Sequence, residues 1–255
     1  MSTNCRVNEG GQVSDCGQVS DCGLIVERRG PVGWITFDRP RQANAMDGAM
    51  LARLPGAWRE LDADPDVGAI VVTGRGPVFQ TGLDMAALAG DPASLREATR
   101  LTSEMRLELT GRHAGIATPV IAAVNGVCAG GGLHFVVDAD IVIASATAAF
   151  LDPHVSVGQV SALEAIGLTS RIAAGVAARL ALAGRHERVT ASRAMQIGLV
   201  SEVVEPGQLA GRAQQLGEVI AGQDVRQLRA VKSALWAALE LGHSAAIDLA
   251  TAGGR

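Results

Sequence analysis

From residue 24 onward, short apolar runs alternate with stretches whose apolar residues recur every three or four positions. Leu24–Arg28 and Val32–Phe37 are β-type runs separated by Arg29-Gly30-Pro31, which predicts a hairpin. Asp47 is placed to cap a helix running to about Leu61, with Met50, Leu51, Leu54 and Trp58 along one face; Pro55 and Gly56 weaken it. Ala69–Thr73 (AIVVT) has the continuous apolar character of a fully buried strand and ends in a Gly-Arg-Gly-Pro turn. A helical stretch is expected from about Pro92 to Arg112. Strands are then expected at Val120–Val124 and Ile141–Ala144, flanking the glycine-rich Asn125–Leu133. Strands alternating with helices at this pace predict an α/β architecture with a parallel component.

Past about residue 160 the pattern turns helical. Thr190 is a suitable N-cap for Ala191–Ile197, Gly198 stops that helix, and Leu199–Val204 reads as a last strand. Residues 206–250 predict two or three amphipathic helices, whose apolar faces call for a packing partner such as another subunit. The chain therefore divides into a leader over 1–23, an α/β core over 24–204 and a helical oligomerisation region over 205–255. Within the leader, residues 11–22 spell GQVSDC twice. Two copies fall short of the roughly three units a solenoid needs, so a disordered polar segment is expected.

Composition narrows the function. The 255 residues carry a net charge of −4 and are 48% hydrophobic, which supports a large core and excludes disorder over most of the chain. An acidic balance, no basic cluster, 3% aromatics and no tyrosine argue against nucleic acid as a partner. No apolar run reaches about 18 residues and no secretory signal opens the chain, so neither a membrane span nor export is expected, and the location expected is cytoplasmic. Cys5, Cys16 and Cys22 have no accompanying histidine and match no zinc spacing, Cys128 stands alone, and no metal is expected. Lys232, the sole lysine, has no neighbours that suggest a catalytic amine.

Two glycine-bearing segments carry the candidate chemistry. In Val78-Phe79-Gln80-Thr81-Gly82-Leu83-Asp84 a strand breaks at a glycine and enters an Asp-initiated helical turn. In Asn125-Gly126-Val127-Cys128-Ala129-Gly130-Gly131-Gly132-Leu133-His134, three glycines follow a buried strand. They let a backbone pass close to a ligand with its N–H groups free, and a helix starting there favours a developing negative charge.

In order and spacing these segments resemble the crotonase, or enoyl-CoA hydratase/isomerase, superfamily. The resemblance runs through Asp38-Arg39-Pro40, Asn44-Ala45-Met46, Phe79–Asp84, Ala122–Gly132, Asp140–Ala144 and Ala191–Val204. It implies a crotonase-like spiral of ββα units with a helical C-terminal region building trimers, often paired into hexamers. It also implies an acyl-CoA substrate whose thioester oxyanion is held by the backbone amides of Leu83 and Gly131. Coenzyme A, brought by the substrate and not as a separate cofactor, would lie near Arg41, Gln42 and Ala43, with Thr81 and Leu83 along the pantetheine.

The chain departs from that pattern where hydratases carry two glutamates: His134 and His154 stand there. An imidazole with a pKa near about 6.5 suits proton transfer at neutral pH. Asp152 and Glu164 are the candidates to orient these rings, Glu164 being preferred as a catalytic or orienting carboxylate. Relatives usually continue past the helix matching His243–Ala250, which bears on coenzyme binding and assembly. Hydration of an enoyl-CoA is the default expectation. Double-bond isomerisation, carbon–carbon hydrolysis of a β-dicarbonyl compound and a non-catalytic acyl-CoA-binding role are the alternatives. A serine hydrolase on a related fold is rejected, because no serine follows Gly130–Gly132 on that helix.

Overall fold

Most apolar runs become strands, and from β3 to β8 successive strands are dealt alternately into two sheets. The computed structural model describes residues 22–91, 93, 94, 96, 97, 100 and 108–252; the leader expected over 1–23 falls almost wholly outside them. The larger sheet holds β1 (Leu24–Arg29), β2 (Val32–Phe37), β3 (Ala69–Gly74), β5 (Val120–Val124), β7 (Ile141–Ser145) and β10 (Glu202–Val204), in the order β1-β2-β3-β5-β7-β10. The smaller holds β4 (Val78–Gln80), β6 (Val127–Ala129), β8 (Ala149–Leu151) and β9 (Val189–Thr190), in that order. Pairing is parallel except for the β1–β2 hairpin and the short β8–β9 pair. Three times running, a strand in the first sheet is followed by one in the second, which makes the chain a spiral of ββα turns.

The helices include α1 (Gly48–Ala63), α2 (Met85–Gly90), α3 (Leu133–Val137), α4 (Leu163–Thr169), α5 (Ala174–Ala183), α6 (Ala191–Gln196), α7 (Leu209–Ala221), α8 (Val225–Glu240) and α9 (His243–Ala252). Asp47 caps α1 by accepting from Met50 N at 2.9 Å, and Pro55 and Gly56 lie inside the helix without ending it. Two expectations need correction. Residues 108–112 are turn and loop, not helix, because Leu109 C=O accepts from Trp58 Nε1 and Thr110 Oγ1 takes the N–H of His113. The last strand begins at Glu202, not Leu199: Leu199 and Val200 N–H both turn back to Ala194 C=O and their side chains are buried. Most of the helix expected from Pro92 lies outside the described residues.

The main core fills the space between the sheets and α1, α3, α5 and α6. A second, smaller core seats Leu209 and Ala213 of α7 on the outer face of β2, β3, β5 and β7. Helix α7 is thus part of the packed core, whereas α8 buries no side chain fully. It docks through Lys232 Nζ to Asp140 (3.0 Å) and Thr118 C=O (2.8 Å), and through Trp236 Nε1 to Asp140 (2.7 Å). The guanidinium carbons of Arg112 and Arg171 stand 3.9 and 5.1 Å from the Trp236 ring centroid, a cation–π arrangement. Among the described residues no helix is long and apolar enough to cross a membrane.

One buried side chain ties together the segments that lead into the first glycine loop. Asn44, at φ 56, shares its amide N–H groups among the carbonyls of Arg75, Val78 and Phe79 and accepts from Arg39 N. Its own carbonyl accepts from Gln80 Nε2. Asn44→Ala leaves several buried groups unpartnered and an alanine in a left-handed conformation, and is expected to cost about 3 kcal/mol or more. Urea unfolding measures this as a lowered midpoint with an unchanged slope.

Candidate active site

The two glycine loops meet. Gly82 has φ +90°, and a Cβ built on it would lie 2.9 Å from Gly131 N. Gln80 sets up the first loop: its carboxamide accepts from Gly82 N–H, and Met46 N–H bonds Gly82 C=O at 2.8 Å. Arg39 braces the same corner, reaching Ala45 C=O, Asp47 (3.2 Å) and Asp84 (3.0 Å). In the second loop Gly130–Gly132 forms a single tight turn that runs directly into α3. Gly132 has no room for a side chain, since a Cβ would run into Gln80 C=O. Among the described residues, neither Leu83 N–H nor Gly131 N–H is bonded to another protein group. Two donors on touching loops are thus available to an acceptor from outside.

Beside this corner lie the four acid–base groups singled out from the sequence. His134 and Glu164 are each 7% exposed, and Asp152 is fully buried. His154 is half-buried above Gly130, its Nε2 3.7 Å from where a Cβ on that glycine would be. Its Nδ1 lies 2.6 Å from Asp152 Oδ1, while Ser161 Oγ donates to the other Asp152 oxygen. His134 Nε2 stands 3.2 Å from Glu164 Oε1, and His154 Nε2 stands 3.8 Å from the same oxygen. The sequence left open which carboxylate serves which ring. Asp152 holds His154, and Glu164 sits between both rings.

The local folding explains these contacts. His134 is on the first turn of α3 directly after the glycines. Helix α4 packs on α3 at Gly167, where a Cβ would meet Val137 Cγ2 at 2.6 Å, and this brings Glu164 in α4's first turn to His134. The Asp152 bond raises the His154 pKa above 6.5 against the opposing effect of burial. Burial pushes Asp152 and Glu164 upward but is outweighed by their imidazole and hydroxyl partners, so both remain below the usual carboxylate range.

The sign of this coupling is testable. With His154 raised, its share of the stabilisation is complete below 6.5 and fades as pH climbs through the raised midpoint. With Asp152 lowered, its share is complete above 3.8 and fades as pH falls through the lowered midpoint. The pair is therefore an ion pair between those windows. Ring-proton NMR is expected to show His154 titrating above 6.5, and Asp152→Asn to bring that midpoint down; an unmoved midpoint would rule out the pairing.

Of the remaining candidates, Thr81 Oγ1 donates to Ala43 C=O (3.0 Å), joining the first glycine loop to the Pro40–Gln42 turn, on which Arg41 and Gln42 are exposed. Sequence reasoning missed His113, Asp138 and Thr110. The His113 ring packs edge-on against His134 with centroids 5.6 Å apart, His113 Nε2 lies 3.3 Å from Asp138 Oδ2, and Thr110 Oγ1 bonds Asp138 at 2.8 Å. His113 lies in a loop, 21 residues before His134, and no periodicity links the two; polar residue type was the sole available signal.

Comparison with known proteins bears on the family and the fold. The family model described as Enoyl-CoA hydratase/isomerase matches residues 27–252. The "Probable enoyl-CoA hydratase echA8" of Mycobacterium bovis is 34% identical over 218 residues, spanning 85% of this chain and 82% of the relative. The "(E)-benzylidenesuccinyl-CoA hydratase" of Thauera aromatica is 35% identical over 205 residues, 80% of this chain and 78% of that one. The crystal structure of an enoyl-CoA hydratase/isomerase from Mycobacterium paratuberculosis superposes with a TM-score of 0.81 at 34% identity, covering 90% of this chain and 87% of that chain.

Proposed function

The chain belongs to the enoyl-CoA hydratase/isomerase family, and we propose that it adds water across the double bond of an enoyl-CoA with imidazole–carboxylate pairs as its acid–base groups. The observation that carries this reading is the convergence of His134 and His154 on one Glu164 oxygen beside two touching glycine loops.

The thioester carbonyl oxygen accepts from Leu83 N–H and Gly131 N–H. These donors are preorganised, so charge arriving on that oxygen is stabilised with little reorganisation. His154, with its Nδ1–H on Asp152, presents Nε2 as the base. It takes a proton from water as the water oxygen bonds the β carbon, and the π electrons move to the α carbon and onto the thioester oxygen. The enolate then recovers a proton at the α carbon from the His134–Glu164 pair. Glu164, in reach of both rings, returns the proton from His154 to His134. The overall change is addition of one water, with no proton gained or lost by the protein. Coenzyme A lies along Thr81 and the Arg41–Ala43 turn, where Arg41 pairs with phosphate. The carrier on the substrate supplies the only coenzyme the reaction uses. A binding-only role gives no reason to gather two carboxylates and an imidazole here, since each carries a desolvation cost that its partners must offset.

The test follows loss of the conjugated thioester absorbance of a short enoyl-CoA. Wild type is expected to turn over, and His134→Ala to slow it about 100-fold or more. Turnover unaffected in both His134→Ala and His154→Ala would remove these bases.

We further propose that the chain assembles as a homotrimer, or as a hexamer of two trimers, through the C-terminal helices. Val231, Leu235 and Leu239 form an exposed apolar row along α8 at four-residue spacing. Leu235→Glu is expected to lower the mass found by light scattering to that of a smaller species.

A further inference from the structure

We propose that His113, His134 and Asp138 form a binding site for a divalent ion of the zinc type, and that an ion held there silences His134 as an acid–base group. The second half rests on the role given to His134 above; the first does not.

One ligand atom from each residue lies within 4.8 Å of the other two. His134 is the second residue of α3 and Asp138, four residues on, is its C-cap, so the two share a face, and His113 comes to them from the 111–115 turn. Zinc–ligand bonds of about 2.0–2.1 Å place tetrahedral donors roughly 3.4 Å apart. The His113 Nε2 to Asp138 Oδ2 separation is 3.3 Å. Two imidazoles and one carboxylate suit zinc, cobalt or nickel, and leave a position for water.

Two of these ligands have the outer partners that metal ligands use for orientation. Glu164 lies against Nε2 of His134, and Thr110 donates to Asp138. The nearby arginines are engaged elsewhere: Arg112 with Glu240 and the Trp236 ring, Arg171 with Val137 and Ala139 C=O and the same ring. The His113 side chain is 31% exposed, which gives an ion a way in. Hydration as described above uses neither His113 nor Asp138. An imidazole with an ion on one nitrogen and its N–H directed to Glu164 has no lone pair left to take a proton.

Calorimetric titration of the chelator-stripped full chain with zinc chloride tests the site directly. Wild type is expected to bind one ion, and His113→Ala and Asp138→Asn each to weaken it at least about tenfold. Circular dichroism checks folding, and His113→Gln replaces His113→Ala if the latter melts early. Absence of binding in wild type, or binding undiminished in the variants, as ligation by Cys5, Cys16 and Cys22 would give, overturns the site. In the hydration assay, zinc is expected to inhibit wild type reversibly with EDTA. His113→Ala should resist the metal, read as the ratio of its own rates with and without zinc. Zinc bound at the site with full activity would overturn the silencing, and a chain with no hydratase activity would still be judged by calorimetry.

Discussion

His154→Ala is expected to lower kcat/KM by about 10²–10⁴, the range a positioned general base contributes. Of the imidazoles at the site, His154 stands over Gly130 and is held at 2.6 Å by a fully buried carboxylate. That carboxylate holds Nδ1, which leaves Nε2 toward Gly130 and Glu164, and it also raises the imidazole pKa. A base must be unprotonated, so wild-type activity should climb with pH through a midpoint above 6.5. Asp152→Asn removes the bond that raises the pKa, and should therefore shift this limb to lower pH while also lowering the plateau rate. Initial rates across pH separate the two effects. A profile for Asp152→Asn that overlays wild type would mean that Asp152 supports the fold and leaves the chemistry alone.

Gly82→Ala is expected to lower kcat by about 10²–10³ while changing KM much less, the size of effect seen when one oxyanion donor is lost. The new methyl would stand 2.9 Å from Gly131 N on a backbone at φ +90°. It can be accommodated only by moving the two loops apart, which misplaces the amides of Leu83 and Gly131 relative to each other. The Pro40–Gln42 turn has its own hydrogen bonds, Gln42 N–H and Asn44 N–H both to Arg39 C=O at 3.0 and 2.9 Å, and should keep its geometry. Gly90→Ala serves as the control, because a Cβ there meets nothing within 4 Å. Wild-type kinetics in Gly82→Ala, with the protein folded, would dissociate the loop contact from catalysis.

Those two loops were legible in the sequence because their information is local. A strand ending at Gly82 and a triple glycine after a buried strand each specify a turn, and chain order specifies that the turns are neighbours in adjacent spiral units. His134 sits three residues past Gly131 on the same turn, whereas His154 was singled out through the family resemblance, at the position of a hydratase glutamate. Asp152 is two residues from His154, and its pairing needs only a local bend. Glu164 was harder. Its burial depends on α4 pressing Gly167 onto Val137, a contact between helices set by tertiary packing. His113 and Asp138 were invisible, since a turn must fold back onto α3 before they meet. At Glu108–Arg112 the helical composition lost to Gly111 and to the carbonyl of Leu109, which completes the hydrogen bonding of a buried indole. At Leu199–Val200 apolar character fitted burial in a turn as well as in a strand, and the hydrogen bonds to Ala194 decided between them.

The placing of Trp236 within reach of two guanidinium groups gives the protein an optical gauge. With no tyrosine and three indoles, of which Trp34 and Trp58 lie deep in the core, near-ultraviolet emission divides into two kinds of source. Release of α8 alone would alter the emission of one fluorophore and leave the other two untouched, so a spectral change that precedes the loss of far-ultraviolet ellipticity would time the detachment of that helix.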